Sequence, residues 1–159
     1  MKEQETISVT TDSASATAAL ARRIGERLPA GTVIAARGDL GVGKTVFAAG
    51  LGAGLGVSEP VVSPTYIFFN DYQGRLPFCH IDAYRLEGLE EEELALIGLD
   101  DCFSREKAVF CEWPDFIRQW LPPETIRLTI SRGGGPEERR LDFTFDKEQQ
   151  EWLHDLLSH

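Results

Sequence analysis

No apolar run in the 159-residue chain approaches the roughly 20 residues needed to cross a bilayer. Its first residues, Met1-Lys2-Glu3-Gln4-Glu5-Thr6, also lack the apolar stretch of a secretory signal. A cytoplasmic chain without membrane attachment is expected. Cysteine is scarce, and Cys79, Cys102 and Cys111 make an odd number with no C-x-x-C pair, which disfavours a redox or metal role. Two of the three sit in apolar runs, where cysteine behaves as a small hydrophobe, so reduced core residues are expected. Basic residues are outnumbered, 16 Lys and Arg against 26 Asp and Glu, for a formal charge of −10. Affinity for nucleic acid comes largely from Lys and Arg neutralising phosphates, so an unaided grip on a polyanion is not expected. No internal repeat is evident, and a chain of this length that is 42% hydrophobic can bury one core. A single domain over residues 1–159 is the expectation.

What is present begins with Gly38-Asp39-Leu40-Gly41-Val42-Gly43-Lys44-Thr45, which fits G-x-x-x-x-G-K-[ST]. The apolar run Thr32-Val33-Ile34-Ala35-Ala36 precedes it, and Phe47-Ala48-Ala49-Gly50-Leu51 continues as a helix. Strand, loop and helix form the context in which such a loop binds phosphate. Its glycines let backbone N–H groups turn towards an anion, and the helix that follows points its positive end at the same phosphates. In this pattern the Lys44 ammonium reaches the β- and γ-phosphates of a nucleotide and the Thr45 hydroxyl ligates Mg²⁺. Asp71-x-x-Gly74 formally matches the D-x-x-G of GTPases but reads better as a turn. With a single Asn, Asn70, and no N-K-x-D, guanine specificity has no support.

In chain order, Ile7-Ser8-Val9 predicts a short strand. Asp12 or Ser13 then caps a helix with Ala16, Leu20, Ile24 and Leu28 on one face. The helix after the glycine loop should run from about residue 44 to 55, weakened by Gly50 and Gly52, which would let it lie close to the sheet. A strand at Tyr66-Ile67-Phe68-Phe69, a turn at Asp71-Tyr72-Gln73-Gly74 and a returning strand from Leu76 to Asp82 make a hairpin. The tract Leu89 to Gly98 predicts an acidic helix, either a solvated face or a surface for a basic partner. Ala108 to Cys111 is a buried strand ending in Glu112-Trp113-Pro114, and residues 115–120 form a short helix. Thr125–Ile130 and Arg139–Phe145 alternate as a second antiparallel hairpin. A capping-box-like start at Asp146 and Gln149 opens a last helix burying Trp152, Leu153, Leu156 and Leu157.

A phosphate loop of this kind also needs an acidic residue at the end of an apolar strand, to hold Mg²⁺ directly or through water. Asp82 and Glu112 both qualify. His80 fits either a hydrogen-bonded core histidine or a member of the site.

Four motifs together, Gly38 to Thr45, Ser63-Pro64-Thr65-Tyr66, His80-Ile81-Asp82-Ala83-Tyr84-Arg85 and Val109-Phe110-Cys111-Glu112-Trp113-Pro114, resemble the TsaE (YjeE) family over nearly the whole chain. The resemblance implies an ATPase needed for threonylcarbamoyladenosine formation next to the anticodon of tRNA, acting with TsaB and TsaD proteins. It places Asp39, Leu40, Gly41, Val42, Gly43, Lys44, Thr45 and Val46 around the phosphates, and Thr45 and Glu112 on Mg²⁺. Asp82 would stand by the metal and the attacking water. Lys44, Thr65, Asp82 and Glu112 would carry catalysis, with Thr65 in a loop that senses the γ-phosphate. Trp113 would shape the site or the partner surface, and Thr17 would lie by the adenine. Two departures are Val46, where the family usually has a second Thr, and Ala83, where Leu is common.

The sequence therefore predicts a three-layer α/β P-loop NTPase fold. Its mixed sheet would be parallel around the loop and antiparallel at hairpins 66–82 and 125–145. ATP and Mg²⁺ are the expected cofactors, hydrolysis is expected to be slow alone, and tRNA is not gripped directly. No arginine finger is identifiable, with Arg85 the candidate. The alternatives are a small-molecule P-loop kinase and a nucleotide-gated binding module without essential turnover.

Overall fold

In the computed structural model, which describes residues 4–64 and 68–158, seven strands form one sheet. They are β1 (Gln4–Thr11), β2 (Val33–Arg37), β3 (Phe69–Gln73), β4 (Pro77–Asp82), β5 (Ala108–Glu112), β6 (Ile126–Arg132) and β7 (Arg139–Asp146). Their order is β1-β7-β6-β2-β5-β4-β3. Strand β2 lies parallel to β5 and β6, and β4 parallel to β5, while the remaining pairs are antiparallel. The mixed α/β sheet expected from sequence is what forms.

Strand alternation sends side chains to two apolar layers. Ile34 and Ala36 of β2, with Ala108 and Phe110 of β5, meet helices α1 (Ala14–Arg27), α2 (Lys44–Gly54) and α5 (Glu151–Leu157). On the other side Val33, Cys79, Ile81, Val109 and Cys111 pack under α3 (Glu91–Leu96), α4 (Leu99–Cys102) and two 3₁₀ segments, Ala83–Leu86 and Pro114–Trp120. The cysteines are free and buried, in keeping with their reading as small core residues. The hydrogen-bonded Cys102 thiol and burial push the Cys79 thiol far up. Ser13 caps α1 by accepting from the Ala16 amide at 3.0 Å.

Four elements differ from expectation. Strand β1 extends well beyond residues 7–9, because every residue from Gln4 to Thr11 pairs with β7 and the exposed Thr6, Ser8 and Thr10 alternate with half-buried neighbours. The first hairpin turns at residues 74–76 rather than 71–74, so Asp71 lies in a strand. Buried Tyr72 stacks on Phe78 with ring centroids 6.0 Å apart, and this keeps β3 extended through Gln73. A Cβ on Gly74 would come within 2.3 Å of the Leu55 carbonyl oxygen, so the chain turns where it meets the end of α2. Tyr66 and Ile67, expected in that hairpin, lie outside the described residues. The acidic helix is shorter, Glu91–Leu96. It ends at Gly98 with φ 84°, and the unforeseen four-residue α4 follows. At the C-terminus, Asp146 accepts from the Glu148 and Gln149 amides in a turn, and the helix starts only at Glu151. Trp152 there is half-buried, whereas Leu153 and Leu156 are buried.

Gly50 faces α1 rather than the sheet. A Cβ there would sit 2.5 Å from the Ala18 carbonyl oxygen, and one on Gly54 would sit 2.1 Å from that of Arg22. The glycines let α1 and α2 touch backbone to backbone, which fixes the helix that starts at Lys44. Gly52 faces Val61 and Phe78 of β4.

Candidate functional site

Strands β2, β4 and β5 are parallel, so their C-terminal ends open on one edge of the sheet. Ligands bind α/β sheets at that edge. Strand β2 hands the chain to the glycine loop, in which Gly38, Gly41 and Gly43 hold φ of 156°, 78° and 118°. A Cβ on Gly43 would meet nothing within 4 Å, so this glycine answers to its left-handed backbone rather than to crowding. It is the N-cap of α2, whose first amides have no partner in the preceding turn and so are available to an anion.

One cleft of about 250 Å³ is lined by Leu40, Gly41, Gly43, Lys44, Thr45, Val46, Ser63, Asp82, Glu112 and Trp113. Asp82 and Glu112 close β4 and β5 in direct parallel register, and this brings the two carboxylates together. Asp82 also caps the 3₁₀ segment after it, accepting from the Tyr84 amide at 3.1 Å. Glu112 is buried, and its Oε2 lies 2.6 Å from His80 Nε2. The Thr45 hydroxyl is 2.9 Å from that of Ser63, a neighbour to which sequence reading gave no role. Ser63 stands in the S-P-T motif, which was its available signal.

Lys44 is buried, with its ammonium on the Gly38 carbonyl, 3.5 Å from that of Asp39 and 4.0 Å from the centre of the Trp113 ring. Burial lowers its pKa, against the opposing pull of Glu112, Asp82 and Asp39. Trp113 adopts φ 57°, the one left-handed residue other than glycine among those described. Such a conformation costs of the order of 1–3 kcal/mol and clusters at functional sites. Here it lays the indole beside Lys44, with the Tyr84 ring 5.2 Å away on centroids.

Thr17 does not line this cleft. It borders an adjoining one of about 160 Å³ with Ala14, Gly41, Val42, Gly43, Val46, Glu137 and Arg139. Its hydroxyl is engaged with Thr11 at 2.6 Å. Thr65 lies outside the described residues. Asp39 is exposed, 3.8 Å from Arg132. Arg85 is exposed on its 3₁₀ segment and lines neither cleft. The arginines that do reach the loop come from the second hairpin, where Arg132 and Arg139 face each other across β6 and β7. Arg139 Nε donates to the Val42 carbonyl at 2.8 Å and Arg132 Nη2 to that of Leu40 at 3.4 Å. Both flank the glycine-rich turn 133–135, a sequence signal legible only once the hairpin is known to lie beside the loop.

Hard oxygen donors from Thr45, Asp82 and Glu112 on one wall suit Mg²⁺, which takes one or two carboxylates and completes its shell with water and phosphate oxygens. Among the described residues no group of three or more His, Cys, Asp or Glu is placed to hold a metal ion. A larger cleft, about 500 Å³ between β2, β6 and the Pro114–Trp120 segment, contains neither carboxylate nor the loop lysine.

Fold and cleft together define an α/β domain with a glycine loop, a lysine and paired carboxylates at the C-terminal edge of parallel strands. The chain belongs to the family described as threonylcarbamoyl adenosine biosynthesis protein TsaE, whose model matches residues 11–141. It is 38% identical over 129 residues to the tRNA threonylcarbamoyladenosine biosynthesis protein TsaE of Bacillus subtilis, covering 80% of this chain and 78% of that protein. The protein of that name from Treponema pallidum is 36% identical over 118 residues, 74% of this chain and 86% of the relative. The crystal structure of Bacillus subtilis YdiB superposes with a TM-score of 0.81 at 30% identity, covering 99% of this chain and 97% of that one. No described helix is long and apolar enough to cross a membrane.

Proposed function

We propose that the chain is a P-loop ATPase serving threonylcarbamoyladenosine formation on tRNA, slow alone and completed by TsaB- and TsaD-like partners in the cytoplasm. The observation that carries this reading is the convergence of Lys44, Thr45, Asp82 and Glu112 on one cleft at the glycine loop. ATP lays its phosphates along the amides of residues 41–45, and Lys44 leaves the Gly38 carbonyl for the β- and γ-phosphate oxygens. Thr45 and Glu112, with Asp82 close to them, would hold Mg²⁺, which would supply neutralisation of the charge developing on the phosphates. Asp82 orients a water and takes up its proton as the water oxygen bonds to the γ-phosphorus and the β–γ bridging bond breaks. The base extends into the cleft bordered by Thr17. Val46 keeps its backbone amide for the α-phosphate. No arginine lines the 250 Å³ cleft among the described residues, which fits slow turnover until a partner supplies the missing charge.

That absence also favours a second reading, a nucleotide-gated module whose binding of ATP matters more than its hydrolysis. Asp82→Asn separates the two in cells depleted of the chain. Nucleoside mass spectrometry should show threonylcarbamoyladenosine restored by the wild type and lost with Asp82→Asn, while the purified variant still binds ATP. Full restoration by Asp82→Asn would favour the module. Unchanged modification after depletion would overturn both.

A further inference from the structure

We infer that His80 is a positioning residue for Glu112: its Nε2–H holds one carboxylate oxygen, so that the other is presented to the cleft in a single orientation. The inference rests on the proposed role of Glu112 as a metal ligand and goes beyond it. Phe78, His80 and Asp82 of β4 project to the α2 side of the sheet, as do Ala108, Phe110 and Glu112 of β5. In parallel register His80 lies opposite Phe110, one side-chain step below the paired Asp82 and Glu112. The imidazole is fully buried, with its ring centroid 5.8 Å from that of Phe110, and Nε2 lies 2.6 Å from Glu112 Oε2.

The second ring nitrogen fixes the direction of the bond. Nδ1 is buried and has no hydrogen-bond partner among the described residues. With the proton on Nδ1, a buried N–H would be orphaned and a bare nitrogen lone pair would face a carboxylate oxygen. Both features are unfavourable. With the proton on Nε2, the N–H donates to Glu112 and only a lone pair is left without a partner. A histidine buried in this way spends its single donor on the carboxylate. Groups that hold a metal ligand from behind fix its rotamer, and losing one typically weakens metal binding about 10- to 100-fold.

The test measures Mn²⁺ binding to the full chain in the presence of ADP by electron paramagnetic resonance, and ADP binding without metal by titration of a fluorescent analogue. His80→Phe keeps an aromatic ring against Phe110 and removes the donor. It should weaken Mn²⁺ about 10- to 100-fold while leaving metal-free ADP affinity within about twofold. His80→Gln, which retains an N–H at comparable reach, should recover most of the loss. In the wild-type protein, long-range ¹H–¹⁵N spectra should show a proton on His80 Nε2 and none on Nδ1, a readout independent of how the variants fold. Unaltered Mn²⁺ affinity in His80→Phe beside a large loss in Glu112→Gln overturns the positioning role alone. An Nδ1–H tautomer overturns it as well. No loss in Glu112→Gln overturns the metal-ligand reading on which it stands.

Discussion

The sheet has two unlike halves. Strands β2, β5 and β4 are parallel and covered on both faces, so their side chains are apolar along nearly every position; all five residues of β5 are buried. Strands β6, β7 and β1 are antiparallel and bear helices on one face only, and their burial alternates residue by residue. Their open face is a polar lattice in which Thr6 meets Thr144 at 2.8 Å and Ser8 donates to Asp142 at 2.5 Å. The covered half can desolvate a lysine and a glutamate at its end because water reaches neither side. The open half cannot host such a site, and it contributes instead by holding the loop from outside through Arg132 and Arg139. Substitutions should therefore separate into effects on chemistry, on core and on support.

The largest effect is expected at the centre of the covered half. Phe110 is fully buried, 5.6 Å from Phe47 on centroids and next to His80. Phe110→Ala should cost about 3–5 kcal/mol of stability by urea denaturation. A loss below about 1 kcal/mol would mean that the core is not organised around β5. Next comes Lys44→Ala, which should leave the fold intact and lower ATP turnover on the order of 10²- to 10³-fold in a phosphate-release assay. Retained turnover would remove the loop from the chemistry.

The contrast between the halves also explains what was legible in sequence. Strands β2 and β5 and their terminal Glu112 stand out because unbroken apolar runs end at a glycine or a carboxylate. The β6–β7 hairpin stands out because it alternates. The turn at residues 74–76 was hidden, since its place is set by a contact with Leu55 rather than by local turn chemistry. Helix α4 and the 3₁₀ segment Ala83–Leu86 each span four residues, too few to show a period. The Lys44–Trp113 contact depends on a left-handed tryptophan, which no propensity would suggest. The arginine support depends on strand order, and the sequence could not place β6 next to β2.

Arg139→Ala tests that support. The Arg139 guanidinium binds the Val42 carbonyl and also those of Pro136 and Glu138. Hydrogen bonds from a charged donor each contribute about 1.5–3 kcal/mol when well formed, and partial exposure lowers that figure here. Nucleotide affinity should fall about tenfold with little change in overall stability. An unchanged affinity would make the open half a bystander to the site and sharpen the division beyond what is argued above.

The smallest effect is expected on the open face itself. Thr144 stands in mid-strand opposite Thr6 on β1 and Arg127 on β6, and its hydroxyl pairs with Thr6 in solvent. Exposed pairs of this kind contribute little, because water replaces either partner when the other is lost. Thr144→Ala should therefore shift stability by no more than about 0.5 kcal/mol and leave ATP turnover unaltered. The informative outcome is a split: if the purified variant behaves as wild type yet fails to restore threonylcarbamoyladenosine in depleted cells, the polar lattice is a surface for another macromolecule. The two halves would then differ in what they face, nucleotide on one edge and a partner on the other, and not only in how they are packed.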